Sequence, residues 1–260
     1  MEKNKLIIAK IILILFSIVF FFSLYQIIVW CLDNSATNRM IDELQDIASI
    51  RDVTVSTTTE VLDRTRYYDE ALLSVDFTNL LEKNGDVIGW IQIPGTNINY
   101  PFVQYSNNSY YLTHSFDKSY NLAGWLFLDY RNEIDPIDMN TIIYAHGRVD
   151  GTMFGSLKNV LEKEWLDKEK YIIKISTLTY NYMFEIFSAY HIPTTNDYLT
   201  TNFSSKSEYE WFLKKIKNRS MIRLNTKVTT ENKIITLSTC YNNYEKMVVH
   251  GKLIKQEKRY

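Results

Sequence analysis

The hydropathy pattern opens on an uncharged apolar run, "IILILFSIVFFFSLYQIIVW", Ile11 to Trp30. Twenty such residues at a helical rise of ~1.5 Å span roughly 30 Å, the thickness of a bilayer's hydrocarbon core. The run is too long for the apolar segment of a signal peptide, and Trp30-Cys31-Leu32-Asp33 offers no small-residue cleavage site. Lys3, Lys5 and Lys10 precede it, whereas Asp33 and Asn34 follow. A single uncleaved transmembrane anchor over 11–32 is expected. By the positive-inside rule, residues 1–10 are cytoplasmic and everything after the span is extracytoplasmic.

The pattern then turns amphipathic. "SATNRMIDELQDIAS" puts Met40, Ile41, Leu44, Ile47 and Ala48 on one helical face, with Ser35 or Thr37 as caps. Residues 51–65, polar and Thr-rich, read as a connector. "DEALLSVDFTNLLEKNG" predicts a second helix that stops at Asn84-Gly85. Residues 33–83 thus form a helical linker region.

Over 84–257 the period shortens to that of strands, expected at about 87–93, 98–104, 125–128, 141–146, 171–175, 183–191, 234–240 and 246–254. Two helices interrupt them. "MFGSLKNVLEKEWL" groups Phe154, Leu157, Val160 and Leu161, and "SKSEYEWFLKKIKNRS" groups Tyr209, Phe212, Leu213 and Ile216 opposite a charged face. Eight short strands with sparse helices predict a mainly β fold, a closed or nearly closed barrel.

Composition narrows the function. With 29 Lys plus Arg against 30 Asp plus Glu, the chain carries no nucleic-acid footprint. Only 8 Gly and 4 Pro beside 19 Tyr argue for a packed β-rich body rather than disorder. There is no HExxH, CxxC or Gly-rich phosphate loop, so neither a metal nor a nucleotide cofactor is expected.

Of the two cysteines, Cys31 lies at the membrane boundary and Cys240 ends a strand far downstream, so a disulfide between them is not expected. Cys240 is then a free thiol in an extracytoplasmic domain: either a reactive group or a small buried hydrophobe. Among the histidines, His191 and His250 lie in apolar strands and read as core or surface residues, and His114 sits in a polar loop. His146 closes "TIIYAH" just before "GRVDGT", where a rigid strand opens into a loop. A thiol and an imidazole at strand ends outline covalent cysteine catalysis.

Several segments resemble one family. "TLSTC" (236–240) is similar to the cysteine signature of the sortases, cysteine transpeptidases of Gram-positive bacteria. "YAHGRVDGTMFGSL" (144–157) resembles the histidine segment of their class B. "DVIGWIQIPGTNINYPFVQ" (86–104) and "YYLTHSFDKSYNLAGWLFLDYRN" (110–132) resemble the first strands and the loop before the third. The helix at about 205–218 matches the class B insertion.

The resemblance implies an eight-stranded sortase-type β-barrel with N-terminal helices and a long helix between strands six and seven, behind one transmembrane helix. By motif position it implies Cys240 as nucleophile, His146 as general acid/base and Ser238 in the groove. Where the family carries an arginine at the start of the last strand, this chain has Lys246, either a substitute cation or an exposed strand-edge lysine. Arg148 is a second basic residue near the histidine. Ala145 in place of glycine, and Gly147-Arg148 after the histidine, also depart from the pattern.

The implied partners are secreted surface proteins with a C-terminal sorting signal and an amine of peptidoglycan or its lipid-linked precursor, with no cofactor. A peptidase releasing its acyl group to water, or a weak barrel that only binds or scaffolds such peptides, are the alternative readings.

Overall fold

The computed structural model describes residues 2–54, 60–61, 67, 69–242 and 244–259. The chain divides into two compact units, Met1–Met40 and Ile41–Tyr260. The first is helical, part of α1 (Glu2–Ile47). Its large apolar side chains from Leu6 to Leu32 stand exposed around the helix. Such a helix, apolar all round, is a candidate membrane span.

The separate helix capped at Ser35 or Thr37 is not observed, because α1 runs through both positions. The Thr37 hydroxyl instead donates to the Asp33 carbonyl one turn back, at 2.8 Å. The apolar face expected after it is present, with Ile41, Leu44 and Ala48 buried in the second unit.

In that unit β1 (Ser49–Val53) pairs antiparallel with β3 (Leu72–Asp76). A short β2 (Glu60–Val61) adds to the far end of the last strand. The predicted connector over 51–65 therefore holds strand residues at 51–53 and 60–61; positions 55–59 and 62–66 lie outside the described residues. The second predicted helix is only half right. Leu72 to Val75 are all buried and extended, and helix α2 begins at Thr78 and ends at Lys83. A segment buried on both faces carries no amphipathic period, and pairing with β1 decides its conformation.

Eight strands make the barrel: β4 (Val87–Gln92), β5 (Asn99–Val103), β6 (Phe127–Leu128), β7 (Asn140–Tyr144), β8 (Ile172–Thr177), β9 (Tyr180–Pro193), β10 (Ile234–Cys240) and β11 (Glu245–Lys258). Each falls on a segment whose alternation predicts a strand. Their order is β10-β7-β6-β5-β4-β8-β9-β11, and β11 also pairs antiparallel with β10, so the ring closes without a free edge. β10 and β7 run parallel, as do β5 and β6.

The helix expected near 154–166 is instead a 3₁₀ turn, Leu157–Leu161, followed by α3 (Lys163–Lys168). Phe154, Leu157 and Val160 are buried as predicted. The long helix α4 (Lys206–Asn218) lies between the sixth and seventh barrel strands. Its N-cap Ser205 accepts the Glu208 backbone N–H, while the Glu208 carboxylate accepts that of Ser204. Tyr209, Phe212, Leu213 and Ile216 pack into one core with Phe187, Tyr190 and Val248 of the barrel.

Inside, His250 donates and accepts between Tyr190 and Thr236 (3.0 and 2.9 Å), and burial lowers its pKa to about 3. The unfolded chain takes up this proton near pH 6.5 and the folded one does not, so the contribution of neutral His250 to stability is lost as pH falls from about 6.5 toward 3. Of the two roles its strand position allows, core or surface, His250 takes the core.

Candidate functional site

Parallel pairing of β7 with β10 sets Tyr144 opposite Ser238, so the chain leaves both strands at the same end. His146, two residues past the end of β7 and so just beyond the strand expected to reach it, and Cys240, the last residue of β10, therefore arrive together, although they are distant in sequence. The hairpin of β10 and β11 then sets Lys246 directly opposite Cys240. Lys246 Nζ donates to Cys240 Sγ at 3.1 Å. Three adjacent strands thus deliver a thiol, an imidazole and an ammonium to one groove of about 420 Å³, which Ser238 also lines. Cys240 is exposed there and forms no disulfide.

His146 Nε2 lies 2.8 Å from the Leu112 carbonyl. A carbonyl can only accept, so Nε2 carries the hydrogen and the neutral ring keeps Nδ1 bare to take a proton. The 3₁₀ turn Tyr110–Leu112 that supplies this carbonyl is brought close by Gly124, at φ +61°. A Cβ there would fall 2.6 Å from the Tyr111 carbonyl and 3.0 Å from the His146 ring.

Gly147, one of the departures noted in the sequence, has a steric cause. A Cβ at this position would lie 2.0 Å from the Cys240 carbonyl oxygen. The loop after His146 rests directly on the backbone of the cysteine, and glycine permits that approach. Gly147→Ala should lower kcat/KM roughly 10- to 100-fold by displacing the histidine strand from the thiol strand. Steady-state kinetics at unchanged thermal stability checks this; full activity would show that the contact positions nothing.

Arg148 takes another path. Its guanidinium is engaged by Asp150 at 3.0 Å and by the Thr152 hydroxyl at 3.0 Å, and it does not line the groove. His114 stacks on Tyr110 (4.0 Å between ring centres) and does not line the groove either.

The groove walls contain residues that sequence reasoning did not single out. The Tyr198 hydroxyl is 3.0 Å from Ser238 Oγ. The Tyr144 hydroxyl donates to Asp129 at 2.9 Å. Asp129 is fully buried, which pushes its carboxyl up, but hydrogen bonds from Arg131 outweigh burial and hold it below the ordinary carboxylate range. The same Arg131 donates to the Leu199 carbonyl at 3.0 Å, tying the opposite wall to this network. Burial and the Asp129 charge hold the Tyr144 phenol well above its usual range, so it stays a neutral donor. Thr239, buried beside the thiol, keeps a side-chain oxygen without a protein partner among the described residues. Only "TLSTC" itself could have pointed to it.

A closed eight-stranded mixed barrel with a thiol, an imidazole and a cation at the ends of three neighbouring strands defines a cysteine acyl-transfer scaffold. The sortase domain model matches residues 91–254. Sortase B of Listeria monocytogenes serovar 1/2a is 36% identical over 240 residues, covering 91% of this chain and 92% of that protein. Among solved structures, sortase B from Bacillus anthracis in complex with AAEK1 superposes with a TM-score of 0.71 at 33% identity, covering 88% of this chain and 99% of that one. A Staphylococcus aureus sortase B–substrate complex gives 0.65 at 36% identity, covering 69% and 84%. The chain belongs to the sortase family, in its class B, and is a cysteine transpeptidase of that kind.

Proposed function

We propose that this protein is a membrane-anchored sortase that cleaves a C-terminal sorting motif after threonine and joins the acyl group to a cell-wall amine. The observation that carries the reading is the convergence of Cys240, His146 and Lys246 on one groove, with the ammonium 3.1 Å from the sulfur. The sulfur attacks the threonine carbonyl, and its proton passes to the bare Nδ1 of His146. The imidazolium then protonates the departing nitrogen as the C–N bond breaks, leaving a thioester on Cys240. An incoming amine reverses these steps: its nitrogen bonds to the carbonyl carbon, His146 takes its proton, and Cys240 leaves.

Lys246 stands beside the carbon that the sulfur bonds, and its charge stabilises the developing oxyanion. It serves where the family has an arginine, as a flexible point donor rather than a planar fork. Ser238, held by Tyr198, and the Tyr144 wall line the peptide's path; Arg148 is left to shape the loop.

In this reading residues 1–10 are cytoplasmic and 11–32 cross the membrane. Residues 33–83 link the anchor outside to the catalytic barrel of 84–257, where secreted surface proteins and the amine of peptidoglycan or its lipid-linked precursor are both present. The substrate complex of the Staphylococcus aureus relative supports substrate binding by such a barrel.

Incubating the protein with a sorting-type peptide and an amine, and identifying products by mass spectrometry, tests the reading. A Cys240-dependent amide product is expected. Free acid alone would make the protein a hydrolytic peptidase. No Cys240-dependent product at all would leave a peptide-binding or scaffolding barrel.

A further inference from the structure

The reverse face of the Cys240–Lys246 hairpin carries a cluster that the mechanism above does not use. Successive strand residues point to opposite faces, so Tyr241 and Glu245 lie behind the groove-facing Cys240 and Lys246. His191 on β9, paired with Met247, meets them there. Its ring stacks flat on Tyr241, 4.4 Å between centres and 5° from parallel. Its Nδ1 lies 3.0 Å from Glu245 Oε1. The other carboxylate oxygen, Oε2, accepts from Asn242 Nδ2 at 2.7 Å. Asn242 Oδ1 in turn accepts the Tyr244 and Glu245 backbone N–H groups. Hydrogen bonds from His191 and Asn242 hold the Glu245 carboxyl below its ordinary value, so it is an anion immediately adjacent in sequence to Lys246.

That anion would compete for Lys246 if its own bonds were lost and its side chain swung round the strand edge. A free carboxylate next to Lys246 would draw the ammonium away from the sulfur, because a charge-assisted pair with carboxylate is a strong contact for a lysine. In the structure both of its oxygens are already occupied. We infer that His191 is a positioning residue for transpeptidation: together with Asn242 it sequesters Glu245 behind the hairpin, which leaves Lys246 free to sit on Cys240. The inference rests on the proposed role of Lys246. It assigns a task to a histidine whose strand position alone reads as core or surface.

The test reads the thiol directly, in the full-length protein in detergent with Cys31→Ser, by the rate of Cys240 alkylation with iodoacetamide. Transpeptidation kcat and KM are measured in parallel. A thiolate attacks faster than a thiol, and a neighbouring cation favours it. His191→Phe, which keeps the stack and removes the hydrogen bond, should slow alkylation and lower kcat about tenfold with KM little changed, within the ~10²-fold that a 1 Å misplacement can cost. His191→Asn, which restores a donor near Nδ1, should recover most of the loss. Glu245→Gln in the His191→Phe background should recover it as well, because the competing charge is gone.

A purely structural role predicts neither rescue. The inference is overturned if His191→Phe alkylates and turns over like the parent while Lys246→Ala is slow, or if the double variant stays as slow as His191→Phe alone. If Lys246→Ala itself alkylates and turns over normally, the role of Lys246 falls and this inference falls with it.

Discussion

Cys240→Ala is expected to abolish both thioester and amide formation, and Cys240→Ser to leave at most a trace. Position alone does not make this cysteine the nucleophile. It is exposed at the mouth of the groove, forms no disulfide, and receives a hydrogen bond from an ammonium. A buried cysteine acting as a small hydrophobe would have none of these contacts, and its replacement by alanine would cost packing rather than turnover. Serine keeps the shape and loses the chemistry, because a hydroxyl is a far weaker nucleophile near neutral pH than a thiol. The measurement is product formation by mass spectrometry beside a thermal melt. Loss of product at an unchanged melting temperature is the expected result. An alanine variant that still makes amide would remove Cys240 from the reaction.

Lys246→Ala should lower kcat by about 10²- to 10³-fold, the usual consequence of removing one oxyanion donor. Lys246→Arg should retain most activity, since the cross-strand pair with Cys240 keeps any long cation at that position over the thiol. The contrast matters more than either value. If Lys246 were only an exposed strand-edge lysine, alanine would be nearly silent. A loss with alanine that arginine does not repair would mean that the site is built around the compact ammonium, with no room for the planar fork.

The barrel was legible because most of its strands contain a short apolar or β-branched run between polar segments, and "IITLSTC" and "TIIYAH" are two such runs. The region before it was less so. Leu72 to Val75 read as the start of a helix, because a segment buried on both faces has no period to distinguish the two conformations. Ser35 and Thr37 read as caps because they follow an apolar run, yet nothing in α1 interrupts the backbone ladder there.

At the site, Cys240 and His146 could be named from motifs, whereas their meeting depends on the parallel register of β7 and β10, which no local pattern encodes. The Asp129–Arg131–Tyr144 network was invisible for a related reason. Its members are ordinary loop and strand residues until the fold brings a buried carboxylate against them. The partner of His191 was equally hidden: Glu245 lies across the sheet, a contact that no local pattern encodes.

The ring order ties the integrity of the barrel to that of the site. β11 is the last barrel strand in the chain, yet it sits between β9 and β10 and is the segment through which the circle closes. Closure of the ring and the pairing of Cys240 with Lys246 therefore depend on the same segment. Loss of this one segment would at once leave β9 and β10 with unpaired edges and take the ammonium from beside the thiol.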